Sequence, residues 1–313
     1  MMTPASQLVV IIPTRNRRTD LHDCLVSLAR QTRPPDLTII VDSSTTMIGD
    51  EASWYAAAAA PLCTAYYRAS RTGAASQRNQ ALACVPPAAA CVALLDDDVV
   101  LEPTYLAVLE QALERDAGLA AVSGWITNPQ VAPNENRTMP LLRLFGHYGT
   151  QPGQLLASGF NTPHWVNAPA TLFPTETVEG GNALVRRSAI DGAWFDPGYE
   201  RFSGYAYAED LDFAQALRQV GRLAVHPDAR MLHRASAAGR VDDLRMGLAQ
   251  VVNRARYLKR HSARTPAIWL AYAWAMCGLA LANSAQIARG RSLRRLIGNI
   301  AGFAIVISIR WTC

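Results

Sequence analysis

The sequence nearly lacks lysine: Lys259 is the only one in 313 residues, and arginine stands in its place throughout. Charged side chains are few (18%), as are aromatic ones (8%), against 50% hydrophobic residues. That balance excludes an intrinsically disordered chain. None of the cysteines (Cys24, Cys63, Cys84, Cys91, Cys277 and Cys313) forms a C-x-x-C pair, so neither a zinc ribbon nor a disulfide framework is indicated. No basic segment precedes the apolar run 8–12; a cleaved secretory leader is not expected, and a reducing cytoplasmic compartment is the default. Acids are scarce towards the end. Residues 214–313 hold 16 Lys and Arg against three Asp, whereas 1–213 hold 14 Arg against 22 Asp and Glu. Charge-free apolar runs separate those C-terminal cations, which favours a membrane surface over nucleic acid as the anionic partner.

What is present alternates. Residues 8–12, 37–41, 92–95 and 119–125 are short apolar runs that read as strands. Leu21, Cys24, Leu25 and Leu28 recur at helical spacing between the first two, and helices over about 73–84 and 103–116 flank the third. Such alternation predicts an α/β fold with a mostly parallel sheet covered on both faces. Residues 128–178 are rich in Pro, Asn, Gly and Thr and read as a long functional loop or insertion. An amphipathic helix is expected over 210–220, and helices from Val241 onwards.

Ligands of parallel sheets gather at the carboxyl ends of strands. Three polar clusters fall there: Pro13, Thr14 and Arg15; Asp42 with Ser43 and Ser44; and the triplet Asp96-Asp97-Asp98. An acidic triplet on its own is commonly a solvated turn. Directly behind a buried strand, however, like charges repel unless a cation joins them, and a hard divalent ion held by one or two carboxylates completes its shell with phosphate and water. The triplet therefore suggests a metal–diphosphate site. Glu209-Asp210 opens a helix, where acids complement the macrodipole.

In order from Leu8 to about Ser236, the segments VVIIPTRNR, LVSLARQT, LTIIVDSS, RTGAASQRNQAL, VALLDDD, EGGNALVRRSAI, AEDLDFAQALRQVG and HPDARMLHRAS resemble a family-2 glycosyltransferase of the GT-A fold. The resemblance implies a Rossmann-like mixed sheet and an inverting, metal-dependent sugar transfer from a nucleotide sugar. It places Pro13, Thr14, Arg15 and Asp42 in the nucleotide pocket, with Asp42 accepting from N3–H of a pyrimidine, so UDP or dTDP is favoured. Gly73, Arg78, Asp96 and Asp97 would lie beside the donor. Asp98 and Asp96, with His233, would hold Mn²⁺ or Mg²⁺. Gly180, Gly181 and Asn182 would form the loop beside the sugar and acceptor, although a plain turn explains the two glycines equally well. Asp210 would be the general base and Glu209 the second choice, since neighbouring helical residues point about 100° apart. One departure stands out: many members carry a glycine after the second strand, where this chain has Asp42-Ser43-Ser44-Thr45.

The C-terminal region remains. Residues 265–288 carry no charge over 24 positions, about 36 Å as a helix. Arg254, Arg256, Lys259, Arg260 and Arg264 precede it, and Arg289, Arg291, Arg294 and Arg295 follow, an arrangement the positive-inside rule opposes for a single span. An interfacial hairpin with Trp269, Tyr272, Trp274 and Trp311 at the boundary meets both facts; a buried Ala-rich helix is the alternative. The expected organisation is a catalytic domain over 1–240 (nucleotide half 1–127, acceptor half 128–240) and a basic, helical, membrane-associating region over 241–313. The expected role is cell-envelope glycan synthesis on a lipid-linked or polysaccharide acceptor at the inner face of the membrane. The competing readings are a non-catalytic nucleotide-sugar scaffold and a nucleotidyltransferase, which the glycine-free IPTRNRR loop disfavours.

Overall fold

Apolar runs free of charge set the strands, and the computed structural model describes residues 7–45, 51–128, 135–191, 194–236, 242–262, 265–290 and 292–308. The first half runs β1 (Gln7–Thr14), α1 (Arg18–Ala29), β2 (Leu37–Asp42), α2 (Glu51–Ala59), β3 (Thr64–Arg68), α3 (Ala74–Ala83), β4 (Ala89–Leu95), β5 (Val99–Leu101), α4 (Tyr105–Arg115) and β6 (Leu119–Ile126). There follow α5 (Glu135–Leu144), β7 (Phe173–Thr175), β8 (Asn182–Arg186), the single turn α6 (Arg187–Ile190), α7 (Glu209–Arg218) and β9 (Arg222–His233). Three long helices complete it: α8 (Asp243–His261), α9 (Pro266–Ile287) and α10 (Arg294–Ser308).

The chain forms two compact units that interleave along the sequence. One comprises Met1–Gln130, Pro169–Phe195 and Phe213–Gly239; the other comprises Val131–Ala168, Asp196–Asp212 and Arg240–Cys313. The linear boundary expected at residue 240 is therefore not where the contacts divide, because 131–168 and 196–212 fold with the C-terminal helices.

The first unit is built on a sheet of order β3-β2-β1-β4-β8-β6-β9-β5, with β7 also paired to β9. β3, β2, β1 and β4 run parallel, and β8 enters antiparallel between β4 and β6. Leu8, Val10 and Ile12 of β1 pack with Leu21, Leu25 and Leu28 of α1 and with Leu106 and Leu109 of α4. Residues 8–12 are fully buried, as a strand covered on both faces must be. Chain order reverses between β1 and β4, the position at which open α/β sheets leave a crevice at their carboxyl edge. Elements without a clear period were not legible: α2 is an alanine run with no apolar stripe, and β3 is a short edge strand. The segment 128–178 contains α5, with Pro140 inside it, and β7. β9 carries Pro227 where its register with β6 breaks, between the pairs Ser123↔Val225 and Trp125↔Arg230, a place that tolerates a missing N–H.

In the second unit Tyr199, Leu211, Val251, Ala255, Leu258, Tyr272 and Ala275 share one core. α9 is long and apolar enough to cross a membrane, yet its Tyr272, Ala275, Met276, Gly278 and Leu279 are buried. Tyr272 is thus a core residue, its hydroxyl donating to Val251 O at 3.0 Å, and not a boundary aromatic. Trp274 is half exposed, with Nε1 donating to Leu144 O at 2.8 Å and its ring stacked on Phe145. Leu270 and Leu281 face out. α10 meets α8 through Gly302 and through Gly247 and Gly298, and at each of the latter two a Cβ would sit 2.1 Å from a facing carbonyl oxygen; Ile297, Ile300 and Ile307, and Leu293 just before the helix, are exposed. Arg264, Arg291 and Trp311 lie outside the described residues.

His147 sits inside this unit, its ring stacked on Phe160 and its Nε2 2.7 Å from Ala275 O. A carbonyl only accepts, so Nε2 carries the proton. Burial, outweighing that hydrogen bond, depresses the imidazole from 6.5 to about 4. The unfolded chain binds a proton through the window 6.5 to 4 while the folded chain does not, so stability should decline as pH falls across it. Urea midpoints of His147→Gln should lose this part of the pH slope; an unchanged slope would contradict the assignment.

Candidate active site

The first unit's site is assembled at the carboxyl ends of β1, β2 and β4. Gln77 of α3 ties the first two together. Its buried amide donates to Thr14 O at 2.9 Å and Val41 O at 2.8 Å, and accepts from Ser43 Oγ at 3.0 Å. Gly73 opens α3 at φ 138°, a backbone conformation that glycine tolerates and other residues rarely adopt.

The acidic triplet divides into three roles. Asp97 is turned inward, 3% exposed, and accepts from Thr14 Oγ1 at 2.8 Å and Arg17 Nη1 at 2.9 Å. Burial pushes its carboxyl up to about 7, against the pull of Arg17 and Thr14. Asp97 and Thr14 therefore brace the loop. Asp96 stays partly exposed, paired with Arg78 Nη2 at 2.8 Å. Its carboxylate lies so close to Gly181 that a Cβ there would sit 2.1 Å from Asp96 Cγ. Asp98 is buried; Oδ2 accepts from Ser236 N at 2.9 Å and Arg17 Nη1 at 3.2 Å.

His233 reaches the triplet through sheet register. β5 follows the acids directly and pairs antiparallel with β9, Val99 opposite His233. Asn128 holds that backbone from the other side, donating to His233 O at 3.0 Å and accepting from its N–H at 2.9 Å. His233 Nε2 then lies 3.1 Å from Asp98 Oδ1, a buried oxygen that accepts no aligned hydrogen bond. Ligand atoms of Asp96, Asp98 and His233 all fall within 4.8 Å of one another. Burial alone would raise Asp98 and lower His233; their mutual attraction, with Arg17 acting on Asp98, reverses both shifts. Two carboxylate oxygens and one imidazole nitrogen form a set that fits a divalent cation, Mn²⁺ more readily than Mg²⁺.

Other expected residues are placed differently. Asp42 is 1% exposed; Oδ1 accepts from Ser44 N and Oγ, and Oδ2 from the hydroxyls of Tyr55 at 3.2 Å and Tyr66 at 3.1 Å. These four donors fill a carboxylate's acceptor sites, so Asp42 presents no vacant oxygen. Asn182 is similarly engaged: Oδ1 accepts from Tyr105 OH and Gly124 N, and Nδ2 donates to Gly124 O and Glu179 Oε2. It joins β8 to β6. Arg15 Nε, behind Pro13, is buried without a partner, and Gly180 lies against Arg78. Arg17, Gln77 and Asn128 carry no role in the sequence reading, because each acts through contacts distant in sequence.

Glu209 and Asp210 belong to the second unit. Ala208 before them has φ 67°, a strained setting for a residue with a Cβ. Glu209 is buried and Asp210 half-buried. Asp212 is committed internally to Arg260 Nε at 3.4 Å, to the Tyr199 hydroxyl at 3.4 Å and to His261.

A mostly parallel sheet with β8, β5 and β7 reversed, flanked by helices and carrying an acidic triplet at its switch point, defines a GT-A fold. Residues 9–192 match the model for glycosyl transferase family 2, more than half of the chain, and the protein belongs to that family. No curated protein matches the sequence. Among solved structures, the mannosyltransferase PcManGT from Pyrobaculum calidifontis, in complex with GDP-Man and Mn²⁺, is similar at 18% identity and TM-score 0.59, over 98% of this chain and 88% of that one. TarS 1–349 of S. aureus in complex with UDP-GlcNAc is similar at 15% identity and TM-score 0.56, over 96% and 80%. Against a longer S. aureus TarS chain, at 16% identity and TM-score 0.52, the similarity covers 88% of this chain and only 42% of that one.

Proposed function

We propose that this family-2 glycosyltransferase moves a sugar from UDP or dTDP to a glycan or lipid-linked acceptor, with inversion, in envelope glycan synthesis. The observation that carries the reading is the Asp96–Asp98–His233 cluster at the switch point, its ligand atoms all within 4.8 Å of one another. A divalent cation held there would offset charge on the departing diphosphate. Arg78 orients Asp96, and Arg17 braces Asp97 and Asp98. Asp210 accepts the proton of the acceptor hydroxyl as that oxygen attacks the anomeric carbon. The bond to the diphosphate breaks in the same displacement, with no covalent intermediate. That solved structures of this fold carry GDP-Man or UDP-GlcNAc supports a nucleotide-sugar donor. In this reading the pyrimidine N3–H replaces the Tyr66 hydroxyl, the more accessible of the two tyrosine contacts on Asp42. The outward Leu270, Ile300 and Ile307, together with the exposed Arg289 and Arg294, support docking on an anionic lipid surface at the cytoplasmic face.

Asp210→Asn should lower turnover by about 10²–10⁴-fold while nucleotide affinity holds, and Glu209→Gln should do less. Equal turnover of Asp210→Asn and wild type would falsify the base assignment. Tyr66→Phe should tighten UDP by about 1 kcal/mol, the net worth of one competing hydrogen bond; weaker UDP binding, or tighter GDP than UDP in the wild type, contradicts the pyrimidine pocket. Co-sedimentation with phosphatidylglycerol vesicles should drop in the Ile300→Asp, Ile307→Asp double variant, and unchanged partition would remove the lipid surface.

A further inference from the structure

α8 lies in the region expected to be a membrane appendage, yet its polar side chains point into the segment that carries Glu209-Asp210. Asn253 is 1% exposed, and its amide donates twice, to Tyr199 O at 2.8 Å and Tyr207 O at 2.9 Å. Arg254 is 5% exposed. It donates to Gly159 O at 2.6 Å and to the Tyr207 hydroxyl at 2.7 Å, with its guanidinium 3.6 Å above the Phe160 ring. No carboxylate pairs with Arg254 among the described residues. A buried cation without a counter-charge is costly, and here only a carbonyl, a phenol and π faces compensate it. Further along the helix, Arg256 and Arg260 bind Asp196 at 2.6 and 2.8 Å, and His261 and Arg260 bind Asp212. Asn253, Arg256 and Arg260 recur at i, i+3 and i+7, so one helix face supplies them.

These bonds bracket 196–212 from both ends and fix Tyr207, the residue before Ala208. Ala208 holds φ 67°, which persists only where surrounding contacts over-determine the backbone. We propose that Asn253 and Arg254 are positioning residues that act through Tyr207 to set the direction in which Asp210 leaves the loop. The inference rests on the reading of Asp210 as general base. A misplaced base loses rate and leaves donor binding alone, because small errors in reacting geometry are expensive in turnover.

The test uses the full chain with Tyr207→Phe, which removes one hydroxyl and keeps the ring, and Asn253→Ala. Two readouts are needed: hydrogen exchange of the amides of 203–210, and release of UDP from UDP-glucose or UDP-GlcNAc with Mn²⁺ and water as acceptor. Both variants should exchange faster at 203–210 and not at 92–98. Both should lose about tenfold or more in kcat, with the donor KM and the stoichiometry of UDP binding unchanged. Wild-type exchange and wild-type kcat in Tyr207→Phe would overturn the proposal, as would a kcat loss matched by lost UDP stoichiometry, which marks a purely structural role. Asp210→Asn run alongside separates the two claims. If it is inactive while Tyr207→Phe turns over normally, the clamp fails and the base reading stands; if it retains full activity, the base reading falls and the clamp's catalytic meaning falls with it.

Discussion

Three carboxylates at the end of one buried strand repel each other, and the first unit is arranged around that repulsion. Burial of an unpaired charge is costly, so each acid is met separately. Arg17 and Thr14 take Asp97, Arg78 takes Asp96, and His233 and Ser236 take Asp98. The partners come from β1 and the loop after it, from α3 and from the end of β9, so the local electrostatic demand draws distant segments to one edge of the sheet. Asp98 Oδ1 is met by the His233 ring alone, at 3.1 Å and without an aligned hydrogen bond. A carboxylate oxygen and an imidazole nitrogen facing each other in this way can also close on a cation.

The excess of arginine in the C-terminal third has a comparable explanation. Part of it is held by the protein itself: Arg254 sits in an aromatic and carbonyl nest, and Arg256 and Arg260 pair with Asp196. Arginine suits this use because its planar fork can serve several acceptors and stack on rings. Only the remaining cations, with the outward apolar residues of α9 and α10, are left to face a surface. The basic stretch is thus partly a device of folding in the second unit.

What the sequence revealed was local. Apolar runs followed by polar clusters located β1, β2 and β4 and the acids behind them, because strand burial and strand-end chemistry are written in adjacent residues. The alanine run of α2 has no periodicity to read. Asp42 and Asn182 were expected in loops and instead end β2 and open β8; the donors on Asp42 and the β8–β6 bridge made by Asn182 depend on Tyr55, Tyr66, Tyr105 and Gly124, which no short motif connects to them. His233 came through family resemblance alone; its physical cause is the Val99↔His233 register. Arg17, Gln77 and Asn128 were missed because a single arginine, glutamine or asparagine in a loop or helix looks the same whether or not it joins two strands.

The central claim is that Asp98 and His233 hold a divalent cation together with a nucleoside diphosphate. Pulsed electron paramagnetic resonance of Mn²⁺ bound to the protein with UDP measures it directly, since an imidazole ligand couples its nitrogen to the metal. The account predicts a nitrogen coupling in the wild type that disappears in His233→Gln, and loss of bound Mn²⁺ in Asp98→Ala. A wild-type spectrum without nitrogen coupling, or Mn²⁺ held equally well by Asp98→Ala, would contradict it.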